Sequence, residues 1–194
     1  FTTNTASGNG GGVCFIGASP SITSNTFAGN SAASGGGIFS QSGSGPITSN
    51  TLTGNTANNG AGIYLYSSSS SCSGNTMSGN IANTSNGAGG GIYSYSGSPL
   101  VFTNQVSGNR AFNGAGIACV YGTPTIYNNR LWANVSNNVG GGIHLESVGA
   151  VKCVNNTSTD NFAANGGAGI YTNSSPSTVL HNNIVAFNAS GIWA

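Results

Sequence analysis

The chain has 194 residues, a formal net charge of +1 and only 3% charged side chains, against about 25% in ordinary soluble proteins. That leaves no electrostatic case for nucleic acid or an anionic membrane as partner. No stretch approaches the roughly 18 apolar residues of a membrane span, and Phe1-Thr2-Thr3 has neither the basic nor the apolar region of a signal peptide.

From the N-terminus onward, asparagines recur in pairs five residues apart: Asn4/Asn9, Asn25/Asn30, Asn50/Asn55, Asn75/Asn80, Asn104/Asn109, Asn129/Asn134, Asn156/Asn161 and Asn183/Asn188. A Gly followed by Ile or Val comes after each pair. The units start 21, 25, 25, 29, 25, 27 and 27 residues apart, a period typical of solenoids. The repeat crosses the chain without a linker, so residues 1–194 read as a single domain, whole or as a segment of a longer or self-stacking solenoid. The 33 glycines and many Asn, Ser and Thr would suit a disordered chain, but 37% of residues are hydrophobic and they stand at fixed places in the repeat.

Aligned on the first Asn of each pair, four columns predict the core. Three residues before it stand Phe1, Ile22, Ile47, Cys72, Val101, Ile126, Cys153 and Leu180; two after it stand Ala6, Phe27, Leu52, Met77, Val106, Leu131, Ser158 and Val185. Seven after it the residues are small, from Gly11 and Ala32 to Ser190. The column behind the glycines is Val13, Ile38, Ile63, Ile92, Ile117, Ile143, Ile170 and Ile192. Runs such as Ile63-Tyr64-Leu65-Tyr66 alternate with period two between Gly- and Asn-rich bends, which predicts short strands, two or three per unit. Like residues stack on like when such units pair in parallel, rising about 4.8 Å per coil. The expected fold is all-β: a single-stranded parallel β-helix, right-handed because parallel crossovers are, with about eight coils of roughly 25 residues. The Asn pairs suit bends, where Asn tolerates left-handed backbone, and their amides suit stacked ladders.

Phe27-Ala-Gly-Asn30 followed by Gly35-Gly-Gly-Ile38 resembles the FxxN and GGA(I/L/V) signature of the polymorphic outer membrane proteins. Looser forms recur, such as Leu52-Thr-Gly-Asn55 with Gly60-Ala-Gly-Ile63 and Met77-Ser-Gly-Asn80 with Gly89-Gly-Gly-Ile92. The resemblance implies a surface adhesin whose passenger is a pectin-lyase-like β-helix. This chain departs from it in having Phe at the first motif position only once and Gly at the third position of the glycine motif.

Carboxylates are needed for calcium-dependent lyase or acid/base hydrolase chemistry, and the chain has only Glu146 and Asp160, in different columns. His144, Glu146 and Lys152 form its sole ionisable cluster, readable as an acid/base pair or as a solvated strand edge. No catalytic residue, cofactor or metal site is expected. Cys72 and Cys153 share a column three coils apart, beyond disulfide reach, and Cys14 and Cys119 are farther still. All four are expected to be free, with Cys72, Cys119 and Cys153 buried.

Immediately after the post-glycine residue, an outward aromatic column is expected at Phe39, Tyr64, Tyr93, His144, Tyr171 and Trp193, joined by Tyr66 and Tyr95. It reads either as a contact site for sugars or another chain, or as cross-strand ring packing that stabilises the sheet. Thr5, Thr26, Thr51, Thr76 and Thr157 form a partial hydroxyl row of the kind an ice-binding face requires, interrupted by Gln105, Arg130 and Ile184. Of six Asn-x-Ser/Thr sites, Asn83 and Asn173 fall in expected loops and are the candidate glycan acceptors.

These features lead to a non-catalytic, extracellular or cell-surface structural and adhesive module, with glycans or surface molecules as ligands. Open coils at both ends imply self-association, head to tail, into a fibre. A polysaccharide-active enzyme or carbohydrate-binding module is the first alternative and an ice-binding protein the second.

Overall fold

A computed structural model describes residues 1–194. Five successive coils contribute four short strands each, more than the two or three the alternation alone predicted, and the coils that carry Asn25 and Asn183 contribute three. In the coil that carries Asn50 they are Ile47–Thr48, Thr51–Thr53, Thr56–Ala57 and Ile63–Tyr66. Stacked coil on coil, these four positions form sheets I, II, III and IV, with seven, seven, five and eight strands respectively. Every strand pairs in parallel with its counterpart one repeat away, so the chain winds about one axis as a parallel β-helix.

Like stands on like. Ile38, Ile63, Ile92, Ile117, Ile143 and Ile170 are direct register partners along sheet IV and all are fully buried. Sheet I contributes Ile47, Cys72, Val101, Ile126 and Cys153, and sheet II contributes Phe27, Leu52, Met77, Val106 and Leu131, to one continuous core. Burying an Ile, Leu or Phe side chain fully contributes roughly 1.5–3 kcal/mol, and repetition of the same shape in each coil keeps that gain while the register is held. Ala82 and Ala111 of the third column form a separate small-residue cluster with Ala61 and Ala115, the middle residues of two glycine motifs, and Ala57 packs against it.

A further inward file escaped the column reading. The third residue of each sheet IV strand points inward: Phe15, Ser40, Leu65, Ser94, Cys119 and Leu145. Its serines are buried among apolar neighbours. Ser40 Oγ lies 3.0 Å from Ser68 Oγ, which donates to the Gly43 carbonyl, whereas Ser94 Oγ has no partner.

The first unit is also out of step with the others. Asn4 donates to Asn30 rather than to Asn25, Phe1 stacks on Phe27 at 4.8 Å rather than on Ile22, and Thr5 bridges Ser31. The 21-residue spacing that opens the repeat is therefore a full turn shortened by one Asn-to-Asn interval: Asn4 occupies the second position of a pair, and Asn9, beside Ser34, belongs to neither ladder. The described chain thus completes seven turns after a partial one.

Two ladders run the length of the solenoid. Asn25, Asn50, Asn75, Asn104, Asn129, Asn156 and Asn183 turn the chain from sheet I to sheet II. Asn30, Asn55, Asn80, Asn109, Asn134, Asn161 and Asn188 turn it from sheet II to sheet III. The left-handed residue at each bend is not the ladder Asn but the one before it, for example Ser24, Ser49, Gly79, Ala133 and Asp160. That geometry swings the amide inward, where its hydrogen bonds replace those that a buried bend would otherwise leave unmade.

Candidate functional site

Outside the core, sheet IV presents two columns. The nearer one holds Phe39, Tyr64, Tyr93, Ala118, His144 and Tyr171, and the farther one Gln41, Tyr66, Tyr95, Val120, Glu146 and Asn173. The near column points outward as expected, yet most of it is covered. Phe39, Tyr64, Tyr93 and His144 are 3%, 9%, 8% and 1% exposed, which corrects their reading as a free aromatic face.

The cover is the arch that leads from sheet III into each strand of sheet IV. Gly60 (φ 59°) lies so close that a Cβ there would sit 2.6 Å from Tyr64 Cβ, so only glycine lets the arch descend onto the rings. Ala88 closes over the same cluster. Along the arches runs a third, shorter amide ladder that the five-residue pairing does not reveal. Asn138 Nδ2 donates to Asn113 Oδ1 at 2.9 Å, and Asn165 Nδ2 to Asn138 Oδ1 at 2.8 Å. The only signal in the sequence is the Asn shortly before each of these glycine motifs.

What stays open is the farther column. Tyr66 and Tyr95 stack at 5.7 Å with an interplanar angle of 1°, and Tyr121 meets Tyr95 edge to face at 5.3 Å. Tyr66 is 38% and Tyr121 46% exposed. Tyr121 stands where other coils carry Ser at the residue after the strand, such as Ser67 and Ser96, and reading the aromatic column alone missed it. Beside this strip, Asn9, Ser34, Phe39, Gln41, Tyr64 and Tyr66 line a shallow groove. Burial, with smaller contributions from the Tyr66 and Tyr95 hydroxyls, pushes the Tyr64 phenol up to about 12, so it stays a neutral donor. Trp193 is exposed and Tyr171 half-buried.

His144 stacks on Tyr171 at 5.3 Å, its Nε2 lies 3.6 Å from Glu146 Oε2, and its Nδ1 has no partner. Burial lowers its pKa to about 4, which keeps the ring neutral near pH 7. Lys152 does not join this pair: it opens the sheet I strand Lys152–Val154. Asp160 sits in the turn between sheets II and III, so the two carboxylates stand on different faces. His181 ends the sheet I strand Val179–His181.

The four cysteines are free: Cys14 exposed, Cys72, Cys119 and Cys153 buried. Of the glycan-acceptor candidates, Asn83 is exposed in an arch, its Oδ1 accepting from the Ser85 N–H. Asn173 is exposed too, but it ends the strand Ile170–Asn173 instead of lying in a loop. Asn134 and Asn156 have their amides buried in the ladders. Thr26, Thr51 and Thr76 are exposed register partners on sheet II, whereas Thr5 lies beside Ser31, outside their row.

A family model described as a right handed beta helix region matches residues 1–131. The chain belongs to this family. No curated protein and no solved structure matches it. The right-handed β-helix accounts for the coil-on-coil register and for the Asn ladders inside its bends. No helix of the protein is long and apolar enough to cross a membrane.

Proposed function

We propose that this β-helix is a non-catalytic structural and adhesive module, extracellular or displayed at a cell surface, that holds its ligands on the open tyrosine strip of sheet IV. One observation carries the reading: on three successive coils Tyr66 and Tyr121 stand exposed, with the half-buried Tyr95 in ring contact with both. Flat rings with a polar edge suit stacking against sugar rings, and the rigid sheet beneath removes most of the entropy cost of ordering them. The Asn and Gln side chains of the neighbouring groove supply donors and acceptors for hydroxyls. The resemblance of the repeats to those of the polymorphic outer membrane proteins favours the same adhesive role. The separation of Glu146 from Asp160 and the covered position of His144 favour binding over catalysis. Coil-on-coil self-association belongs to this reading, and electron microscopy of the purified chain tests it.

Glycan-array binding followed by titration tests the strip. Tyr66→Ala with Tyr95→Ala is expected to weaken glycan binding by about tenfold or more, since ring stacking is worth roughly 0.5–1.5 kcal/mol per contact. Unchanged affinity in a folded double variant sinks the reading.

A second reading rests on sheet II, where Thr26, Thr51 and Thr76 repeat at the coil spacing with Thr53 and Ser78 in a parallel row. Such a flat hydroxyl array suits an ice surface. Thermal hysteresis above that of an inert protein supports this reading, and its absence removes it.

A further inference from the structure

The protein's three Lys and Arg residues form a regular diagonal. Lys152 opens a strand of sheet I, Arg130 a strand of sheet II and Arg110 a strand of sheet III, and all three are exposed. Five residues after Lys152 along the coil comes Thr157, the register partner of Arg130; five after Arg130 comes Val135, the register partner of Arg110. Each step from one cation to the next is thus one face sideways and one coil along the axis. The sideways step spans less than about 17 Å of chain and the axial one about 4.8 Å.

None of the three is ion-paired, because the one acid–base contact within 4.0 Å is His144–Glu146. Glu146 lies on sheet IV, away from the row, and Asp160, in the bend after Thr159, is the one carboxylate on its flank. The middle cation is preordered, since the Arg130 guanidinium lies 4.8 Å over the Trp132 ring. A stacked guanidinium keeps its in-plane N–H fork free for a sulfate or carboxylate. Residues 1–109 carry no charged side chain at all, so this row is the main positive feature of an otherwise neutral surface.

We propose that the Lys152–Arg130–Arg110 diagonal binds a linear anionic polysaccharide, one that carries sulfate or uronate groups along its length. Widely spaced single cations match a chain of low charge density, and the hydroxyl and amide neighbours Gln105, Ser107 and Thr157 suit sugar hydroxyls. This site lies on different faces from the tyrosine strip and does not depend on it.

Titration of the full chain with heparin (sulfate and carboxylate) and hyaluronan (carboxylate only), with dextran as the neutral control, tests the assignment. Binding to at least one anionic chain is expected, weakening by about tenfold from about 50 to about 200 mM salt. Arg110→Gln/Arg130→Gln/Lys152→Gln should abolish it while leaving the melting curve unchanged, and Tyr66→Ala/Tyr95→Ala should leave it intact. Heparin binding alone identifies sulfate as the recognised group. The proposal is overturned by absence of binding to both polymers, by salt-independent binding, by an unaffected triple variant, or by equal affinity for dextran or for a single-stranded oligonucleotide. Should the triple variant fail to fold, weaker binding by Arg130→Gln and the salt dependence of the native chain decide the question by the same criteria.

Discussion

Asn80 Oδ1 accepts two hydrogen bonds from Asn55, at 3.0 Å from its backbone N–H and 2.9 Å from its side-chain amide. In the other direction, Asn80 Nδ2 donates to Asn109 Oδ1 at 2.9 Å and to the Leu52 carbonyl at 3.0 Å. One fully buried amide thus joins three coils with no unmade bond.

Replacing it exposes the cost of that arrangement. Asn80→Ala leaves two Asn55 donors buried without partners, each worth about 1–3 kcal/mol, and removes the second bond to the Leu52 carbonyl, about 1 kcal/mol. A loss of at least about 3 kcal/mol is expected in urea unfolding. Asn4→Ala, at a position where the side chain makes only one ladder contact, should cost about 1 kcal/mol or less. Equal effects at both positions would show that the ladder does not act through buried amide satisfaction.

Ala133 takes a left-handed backbone (φ 53°) in a bend column where Gly29, Gly54, Gly79 and Gly108 do the same. An L side chain there costs about 1–2 kcal/mol, partly offset by the greater chain entropy of glycine, about 0.5–1 kcal/mol. Ala133→Gly should therefore stabilise by about 0.5–1 kcal/mol and raise Tm by roughly 2 °C. A lower Tm in differential scanning calorimetry contradicts this.

His144 makes stability depend on pH. Its folded pKa, lowered by burial to about 4, lies below the roughly 6.5 of an unfolded chain. Between those values the unfolded state binds the extra proton, so stability is fully present above about pH 6.5 and declines as pH falls towards 4. The loss is on the order of 3 kcal/mol, reduced by attraction from Glu146 at 3.6 Å. His144→Phe keeps a ring against Tyr171 and should abolish this component, as urea midpoints at pH 7 and pH 4.5 would reveal. A variant with the same pH slope as the parent rules the assignment out.

The thiols divide by burial. Cys72 and Cys153 are pushed up to about 12 and Cys119 is raised as well, all by desolvation, so their reactive thiolates are scarce at neutral pH. Alkylation of the native protein at pH 8 followed by mass spectrometry should label Cys14 alone, and in denaturant all four. Native labelling of Cys119 would mean that the coils open readily.

Much of this architecture is legible in the residue columns. Parallel stacking places equivalent residues over one another, so burial at one coil is repeated at the next, and Ile63, Ile92 and Ile117 could be placed in one interior file from spacing alone. The first unit misled because the Asn4/Asn9 spacing copies that of a true pair while its hydrogen bonds go to the second ladder. Tyr64 and Tyr93 misled for another reason: period-two alternation tells which side of a strand a side chain takes, not what lies above that side.

From the sequence alone came the repeat, the parallel β-helix, the ladder asparagines and the main core files, since each follows from local alternation and period. Only the tertiary structure decided that arches cover Phe39, Tyr64 and His144, that Tyr121 joins the open strip, and that Lys152, Arg130 and Arg110 line up diagonally. These relations join residues that lie on different faces or in different coils, and their exposure is set by whatever the winding brings beside them.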